Sequence, residues 1–237
     1  MKERVLIVNA DDFGRSPGVN RGVIRTHEEG IVTSATMMVR WPAAADAAAY
    51  AKRSSLSVGL HLDLGEWEYR DGEWHALYEL PVALSPDAVA EEIERQLERF
   101  ERLVGRSPTH LDSHQHVHHA TPVRRELRHL GERLGVPVRD VTPGIVHSGA
   151  FHGQDGTGTP LPEAITVEAL VRTIETLPDG ITELGCHPAT EIDHDSTYAR
   201  ERLQEVATLC DRRVRAAIDR CGVALRSFAD LAGVTGP

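Results

Sequence analysis

Segments with the pattern of β-strands alternate with segments with the pattern of α-helices along almost the whole chain. Residues 4–10 (RVLIVNA) are a short run rich in branched apolar side chains, as expected for a strand buried on both faces. Such alternation indicates a mostly parallel sheet whose strands are joined by helical crossovers. The predicted strands cover residues 4–10, 31–39, 57–64, 109–112, 136–141, 181–186 and 223–226.

The segments between these strands carry helical signals. Residues 85–104 are the clearest case, because Ser85 is a favoured N-cap, Pro86 takes the first helical position and the apolar residues trace one face. Residues 65–84 and 142–162 show no clear period, so we predict a loop insertion and a long loop or lid there. The predicted helices cover residues 19–29, 42–53, 85–104, 122–134, 167–177 and 198–221.

Seven strands in 237 residues favour a (β/α) barrel of the TIM type, irregular or incomplete. A doubly wound open sheet is the alternative. A chain of this length suits one large domain, and we find no internal repeat, low-complexity tract or linker. Residues 1–237 are therefore predicted to be a single domain.

The net charge of −10 narrows the function classes. Nucleic-acid binding depends on clustered Lys and Arg, and surface binding to membranes on a basic amphipathic helix, so we expect neither partner. The three cysteines show no disulfide framework, and the N-terminus shows neither a signal peptide nor a membrane span. These features favour a cytoplasmic protein, and they leave open whether its copies form a homo-oligomer.

Polar side chains recur at the ends of the predicted strands. Asp11 and Asp12 follow the first strand, His61 lies near the end of the third, and His114 and His187 follow the fourth and sixth. Parallel strands bring these ends to one face, where active sites of such folds are built. One carboxylate and two imidazoles form a facial ligand set with open positions. The pattern therefore predicts a metal site.

Each of these residues also has a structural interpretation. Two adjacent acids after a buried strand can serve as an N-cap and a turn residue, and a lone His61 in an apolar strand can be a core residue. If both acids are functional, they must point differently, with one on the metal and the other taking a proton. Asp63 shares the face of His61, which is consistent with a His–carboxylate pair or an exposed strand end.

Five of the thirteen histidines lie between His110 and His119. In an extended chain, alternate residues from His110 to His118 share a face with Asp112, but the segment must turn before the helix near Pro122. We therefore expect one or two of them at the centre of the site, with Asp112 as a candidate for orienting a ligand. A solvated His-rich loop is the alternative.

The tripeptide Cys186-His187-Pro188 ends the sixth predicted strand. Cys186 as a nucleophile would need a base that lowers its pKa, and a buried structural thiol is the simpler interpretation. His187 at a strand end is the better candidate for a catalytic acid.

Four motifs in order, VNADDFG, GLHLDL, THLDSHQHVH and CHPA, resemble the YdjC-like carbohydrate deacetylase family, which includes chitooligosaccharide deacetylases. The correspondence covers residues 5 to 188. The resemblance implies a (β/α)-barrel-like fold and one divalent ion, Mg²⁺ or Zn²⁺. It also implies hydrolysis of the N-acetyl group of a sugar such as a chitooligosaccharide. It assigns Asp12, His61 and His114 as metal ligands and Asp11 as the catalytic base.

In the reaction that this resemblance implies, Asp11 accepts the proton of the attacking water and His187 protonates the leaving amine. Two other functions remain open at this point. A metal-dependent phosphoesterase would usually have more ligands and a basic phosphate clamp, for which Arg15 is the nearest candidate. A non-catalytic sugar- or metal-binding protein would bind saccharides without releasing acetate.

Overall fold

The computed structural model describes residues 3–80 and 85–231. Its main sheet is parallel and has the spatial order β6-β3-β2-β1-β8-β7, with β9 paired to β1. The strands are β1 (Arg4–Phe13), β2 (Ser34–Met37), β3 (Ser57–Leu62), β6 (Leu111–Ser113), β7 (Ile145–Ser148), β8 (Gly180–Cys186) and β9 (Ala224–Leu225). Strands β4 (Gly65–Arg70) and β5 (Glu73–Glu79) form a separate hairpin.

The strand order follows the chain order around a circle that is open between β6 and β7. A doubly wound sheet would instead reverse its order at a switch point. The predicted fold class, an irregular (β/α) barrel, is confirmed as a curled, incomplete barrel. Strand β2 pairs with the later part of β1, from Asn9 onwards. Strand β9 pairs with the earlier part of β1, at Val5 and Leu6.

Helices cover the outside of this sheet. They are α1 (Pro17–Glu28), α2 (Ala44–Ala51), α3 (Pro86–Val104), α4 (Thr121–Leu134), α5 (Val167–Glu175), α6 (Arg200–Leu209) and α7 (Arg212–Cys221). The Ser85 hydroxyl caps α3 by accepting from the N–H of Ala88, and Gly105 ends the helix in the left-handed conformation. Among the helices of the described ranges, none combines the length and the apolar character that a bilayer crossing requires.

Four sequence-based predictions of secondary structure are wrong. Residues 136–141 form a single bridge between Val138 and Leu111 instead of a fifth strand, because Pro137 has no N–H and the chain turns at Asp140. The predicted helix 198–221 is two helices, because Asp211 has an extended backbone and caps α7 by accepting from the N–H of Arg213. The predicted loop 142–162 contains β7.

The predicted loop insertion at residues 65–84 is the largest correction, because residues 65–79 form the hairpin of β4 and β5. Residues 81–84 lie outside the described ranges. Asp71 and Gly72 have φ angles of 55° and 88°, as in the tight turn that joins antiparallel strands. The Asp-Gly pair is a strong sequence signal for such a turn. Arg15 fixes the hairpin to the barrel by bonding the Glu66 carboxylate at 2.8 Å and the Tyr78 hydroxyl at 2.7 Å.

Candidate metal centre

The polar residues at the carboxyl ends of β1, β3 and β6 meet in one buried cluster. Asp11 and Asp12 would point to opposite faces in a regular strand. The pairing of β1 with β2 shifts register between Ala10 and Phe13, and Asp12 has a φ of 66°. This bulge lets both carboxylates face the same cleft, as bulges near functional sites commonly do. The strained backbone at Asp12 therefore lies where the sequence predicts the functional acids.

Asp12, His61 and His114 offer three ligand atoms that all lie within 4.8 Å of one another. The Oδ1 atom of Asp12 lies 3.3 Å from Nε2 of His61 and 3.0 Å from Nδ1 of His114. The other ring nitrogen of His114, Nε2, lies 3.6 Å from Oε2 of Glu66. Burial alone would lower the pKa of His114, but the Asp12 carboxylate raises this pKa to about 9. A site that draws protons so strongly suits a cation, so this donor set fits a divalent ion.

Asp112 holds the ring of His61 in position. Its Oδ1 lies 2.6 Å from Nδ1 of His61, so the other ring nitrogen is turned towards Asp12. Histidine ligands of metals are usually held in this way by a carboxylate behind them. The role that the sequence left open for Asp112, orienting a ligand, is consistent with this geometry.

Asp11 lies beside the three predicted ligands and is held by an arginine that the sequence did not identify. The guanidinium of Arg139 donates to Oδ2 of Asp11 at 2.6 Å and to Oδ1 at 2.8 Å. Burial alone would raise the pKa of Asp11, but the charge of Arg139 holds that pKa well below its usual value. Asp11 is therefore an ionised carboxylate.

His187 lies next to Asp11, with its Nε2 3.8 Å from Oδ2, the oxygen that also accepts a hydrogen bond from Arg139. Its backbone N–H donates to the Glu205 carboxylate, which fixes the chain at the end of β8. Burial lowers the pKa of His187 to about 3, so the imidazole is neutral at ordinary pH. A neutral imidazole can accept a proton at this position before it donates one.

Two buried arginines neutralise the acids of the site, and sequence analysis missed both. Arg139 also contacts Asp112 at 2.9 Å and Glu183 at 2.6 Å, and Arg202 donates to Oδ2 of Asp12 at 2.6 Å. The available signal for Arg139 was its place inside the predicted strand 136–141. A charged Glu183 inside the apolar strand β8 also indicated a buried partner. Arg202 lies within α6 and gave no comparable signal.

Replacing Arg139 with methionine is expected to lower the free energy of unfolding by about 3–5 kcal/mol at pH 7, because Asp11, Asp112 and Glu183 would lose their shared cation in a buried site. Urea unfolding measures this change. Arg133→Met is the matched control, since Arg133 pairs with Glu94 on the surface and such pairs contribute about 0–1 kcal/mol. Equal unfolding midpoints for the two variants would contradict the role given to Arg139.

Other predicted polar residues lie outside this cluster. Asp63 turns away from His61 and accepts from Arg40, Trp41 and Tyr78. His110 is buried, with its Nε2 2.8 Å from the side-chain oxygen of Asn9. The alternation expected for the His-rich segment ends after Ser113, because Gln115 and His116 have φ angles of 46° and 52°.

Cys186 is fully buried, and burial raises the pKa of its thiol well above the usual value. This environment agrees with the structural interpretation of Cys186 and not with a nucleophile.

The cluster lies in a cavity of about 500 Å³. Its wall includes Phe151, His152 and Tyr198 from the loops before α5 and α6. A neighbouring cavity of about 460 Å³ is lined by Trp67, Tyr69 and Trp74 of the hairpin. Residues Gln115 and Gln154 border both cavities. The site thus opens onto an aromatic surface formed by the hairpin, in the segment for which we predicted a loop insertion.

Comparison with known proteins gives consistent similarities over the whole fold. A family profile described as "YdjC-like protein" matches residues 5–220. A carbohydrate deacetylase from Geobacillus stearothermophilus is 34% identical, over 96% of this chain and 98% of its own. A chitooligosaccharide deacetylase from Serratia marcescens is also 34% identical, over 97% of this chain and all of its own.

Solved structures resemble the chain as well. A crystal structure from Enterococcus faecalis V583, of a protein named for cellobiose-phosphate cleavage, has a TM-score of 0.78 and 25% identity, covering 97% of this chain and 99% of its own. A family 4 acetyl xylan esterase from Clostridium thermocellum, in complex with a cobalt ion, has a TM-score of 0.55 and 14% identity, covering 98% and 91%. The second likeness concerns the fold.

Proposed function

Because this chain belongs to the YdjC-like protein family, we propose that it is a metal-dependent carbohydrate deacetylase that hydrolyses the N-acetyl group of a sugar and releases acetate. The proposal rests mainly on one observation: Asp12, His61 and His114 converge next to an ionised Asp11 at the floor of a cleft. The named activities of the two curated relatives support the sugar substrate, with a chitooligosaccharide or a related sugar as the class.

We assign Asp12, His61 and His114 as the residues that hold one divalent ion, Mg²⁺ or Zn²⁺. A bound divalent ion supplies Lewis acidity towards a water molecule and an acetamide carbonyl. The cobalt ion in the Clostridium thermocellum esterase supports a divalent ion at a comparable fold. Asp112 keeps the ring of His61 turned for this role, and Arg202 holds the second oxygen of Asp12.

Asp11 acts as the general base in this proposal. Its carboxylate is kept ionised by Arg139, so it is ready to accept the proton of a water that attacks the acetyl carbon. A carboxylate that accepts one hydrogen bond at each oxygen from a buried guanidinium keeps its direction, which is what positioned proton transfer requires.

His187 acts as the acid that protonates the leaving nitrogen. The ring is neutral at the start, and its Nε2 lies 3.8 Å from the Asp11 oxygen that would carry the proton. His187 therefore takes up the proton that Asp11 removes from water and passes it to the amine as the C–N bond breaks. One proton from water reaches the sugar nitrogen, and the products are acetate and a free amino sugar.

The hairpin supports a carbohydrate substrate. Trp67, Tyr69 and Trp74 line the cavity beside the catalytic cleft, and Trp74 is 58% exposed. Exposed aromatic faces next to polar groups are typical of a ligand site and are unusual on a surface without a partner. We infer that these rings contact the faces of sugar units beyond the one that is deacetylated.

The charges of the cleft do not favour a phosphoesterase. Arg15, Arg139 and Arg202 each bond a carboxylate, namely Glu66, Asp11 and Asp12. Within the part of the chain that the structure describes, none of these three guanidinium groups is free to clamp a phosphate.

An acetate-release screen on N-acetylated mono- and oligosaccharides, with and without a chelator, tests the proposal. We expect release from at least one sugar, loss of release with the chelator, and recovery when Mg²⁺ or Zn²⁺ is added. Saccharide binding without acetate release would support a non-catalytic binding protein instead. Release of phosphate from sugar phosphates would support the phosphoesterase.

A further inference from the structure

A second group of possible ligands lies near the cleft and takes no part in the proposed reaction. His116, His118 and His119 follow His114 in a short 3₁₀ segment, residues 114–119, that is kinked at Gln115 and His116. Asp140 belongs to the turn after Val138. Each of the four offers one ligand atom, and all these atoms lie within 4.8 Å of one another. Oδ2 of Asp140 is 3.2 Å from Nε2 of His119 and 3.7 Å from Nε2 of His118.

His118 is oriented as a ligand would be. The residue is completely buried, and its Nδ1 lies 2.6 Å from the hydroxyl of Ser113. This contact leaves Nε2 pointing towards Asp140, and Nε2 has no hydrogen-bond partner. Nδ1 of His116 is also buried without a partner. Buried polar atoms in proteins are nearly always paired, so two unpaired imidazole nitrogens in one group require an explanation.

The backbone around the group is held in an unfavourable conformation. Gln115, His116 and Asp140 have φ angles of 46°, 52° and 56°. Non-glycine residues rarely occupy this left-handed region, and such residues concentrate at functional sites. The strained conformations bring the His-rich segment and the turn at Asp140 together. A bound ion would supply interactions that favour this arrangement.

We propose that His116, His118, His119 and Asp140 form a second metal site, distinct from the one at Asp12, that binds a transition-metal ion such as Zn²⁺. Three imidazoles and one carboxylate are a four-ligand set of the kind that suits tetrahedral zinc. Mg²⁺ prefers oxygen ligands and fits this set poorly. Because four protein ligands would complete the coordination, the site would be structural.

The second site lies on the same two segments of the chain that carry His114 and Arg139 of the cleft. The 3₁₀ segment also carries His114, and Asp140 directly follows Arg139. His114 contacts Asp12, and Arg139 contacts Asp11. An ion bound between the two segments would therefore join the two parts of the chain that position the acids of the cleft.

Counting Zn²⁺ ions bound per chain tests this inference without any substrate, so its result is independent of the proposed function. The ions are added to chelator-treated protein in competition with a chromogenic chelator. We expect two tightly bound ions for the natural chain and one for the double variant His119→Ala/Asp140→Asn, with binding of the lost ion at least about tenfold weaker. Both substituted side chains are partly exposed, so the fold is expected to survive.

His129→Ala is the matched control, because His129 is a similarly exposed histidine on α4 that contacts Glu126 instead. It is expected to keep both ions. Asp12→Asn is expected to keep the ion of the second site and to lose the other. An equal ion count in the natural chain and the double variant, with unchanged affinity, would overturn the proposal. So would a natural chain whose single ion is lost in Asp12→Asn.

Discussion

Replacing Asp12 with asparagine is expected to remove one divalent ion per chain and to lower the rate of acetate release by about a thousandfold or more. Asp12 contacts both predicted histidine ligands, so its charge is central to the site. A catalytic metal contributes several kcal/mol of transition-state stabilisation, and each 1.36 kcal/mol corresponds to about a factor of ten in rate. Metal analysis of the purified protein, together with an acetate assay, measures both effects.

Asparagine is preferred to alanine at this position because of Arg202. The Arg202 guanidinium donates to Oδ2 of Asp12, and an asparagine oxygen can still accept this bond. Alanine would leave a buried cation without a partner, at a cost of about 3–5 kcal/mol in stability. Loss of activity could then reflect unfolding.

Asp63→Asn is the control for removing a buried carboxylate near the site. Asp63 is fully buried, but it bonds Arg40, Trp41 and Tyr78 instead of the proposed metal ligands. This variant is expected to retain the ion that Asp12→Asn loses. A full ion content in Asp12→Asn would show that Asp12 is not a ligand.

Replacing Asp11 with asparagine is expected to leave the ion bound while the rate falls by about 10²- to 10⁴-fold, the usual contribution of a general base. Asparagine has nearly the same shape and can still accept one hydrogen bond from Arg139, but it cannot take a proton from water. Steady-state rates and metal content, measured on the same preparation, separate this result from loss of the ion.

Glu183→Gln controls for disturbance of Arg139 in that experiment. Glu183 bonds the same guanidinium as Asp11, and it is linked to the cleft through Arg139 alone among its described hydrogen bonds. If the effect of Asp11→Asn came only from a displaced Arg139, both variants would lose activity equally. We expect Glu183→Gln to keep most of the rate. A full rate in Asp11→Asn would mean that another group is the base.

The barrel was predictable because its signals are local and repeated. Residues 4–10 and 181–186 are short apolar runs, and they became β1 and β8 with small changes at their ends. The helix 85–104 was predicted from its cap and its apolar face, and it is Pro86–Val104. Alternation then determines parallel pairing, which brings the strand ends to one face.

The hairpin was missed because its apolar residues are partly exposed, so the usual contrast between a buried and a solvated face is weak. Trp74 is 58% exposed and Tyr69 is 40% exposed. Only the turn at Asp71-Gly72 carried a specific signal. The segment 136–141 failed in the opposite way, since its apolar residues suggested a strand that Pro137 does not allow.

The proposed metal ligands were accessible from sequence, whereas their partners were not. Asp12, His61 and His114 each stand at or near the end of a strand, so topology alone predicts that they meet. Arg202 approaches Asp12 from a helix 190 positions further along the chain. No pattern within α6 marks that residue, because the contact depends on how the helix packs against the sheet.

The hairpin begins and ends at nearly the same point of the barrel, since the backbone N–H of Leu80 donates to the carbonyl of Leu64 at 2.9 Å. The chain therefore leaves the sheet after β3 and returns without changing the register of β3 with β6. Insertions or deletions at the tip of this excursion, around Asp71 and Gly72, would leave the acids and histidines in place, whereas its base carries Glu66, whose Oε2 lies 3.6 Å from Nε2 of His114. The outer part of the aromatic wall can thus change in length while the part of the hairpin that touches the floor of the cleft is kept.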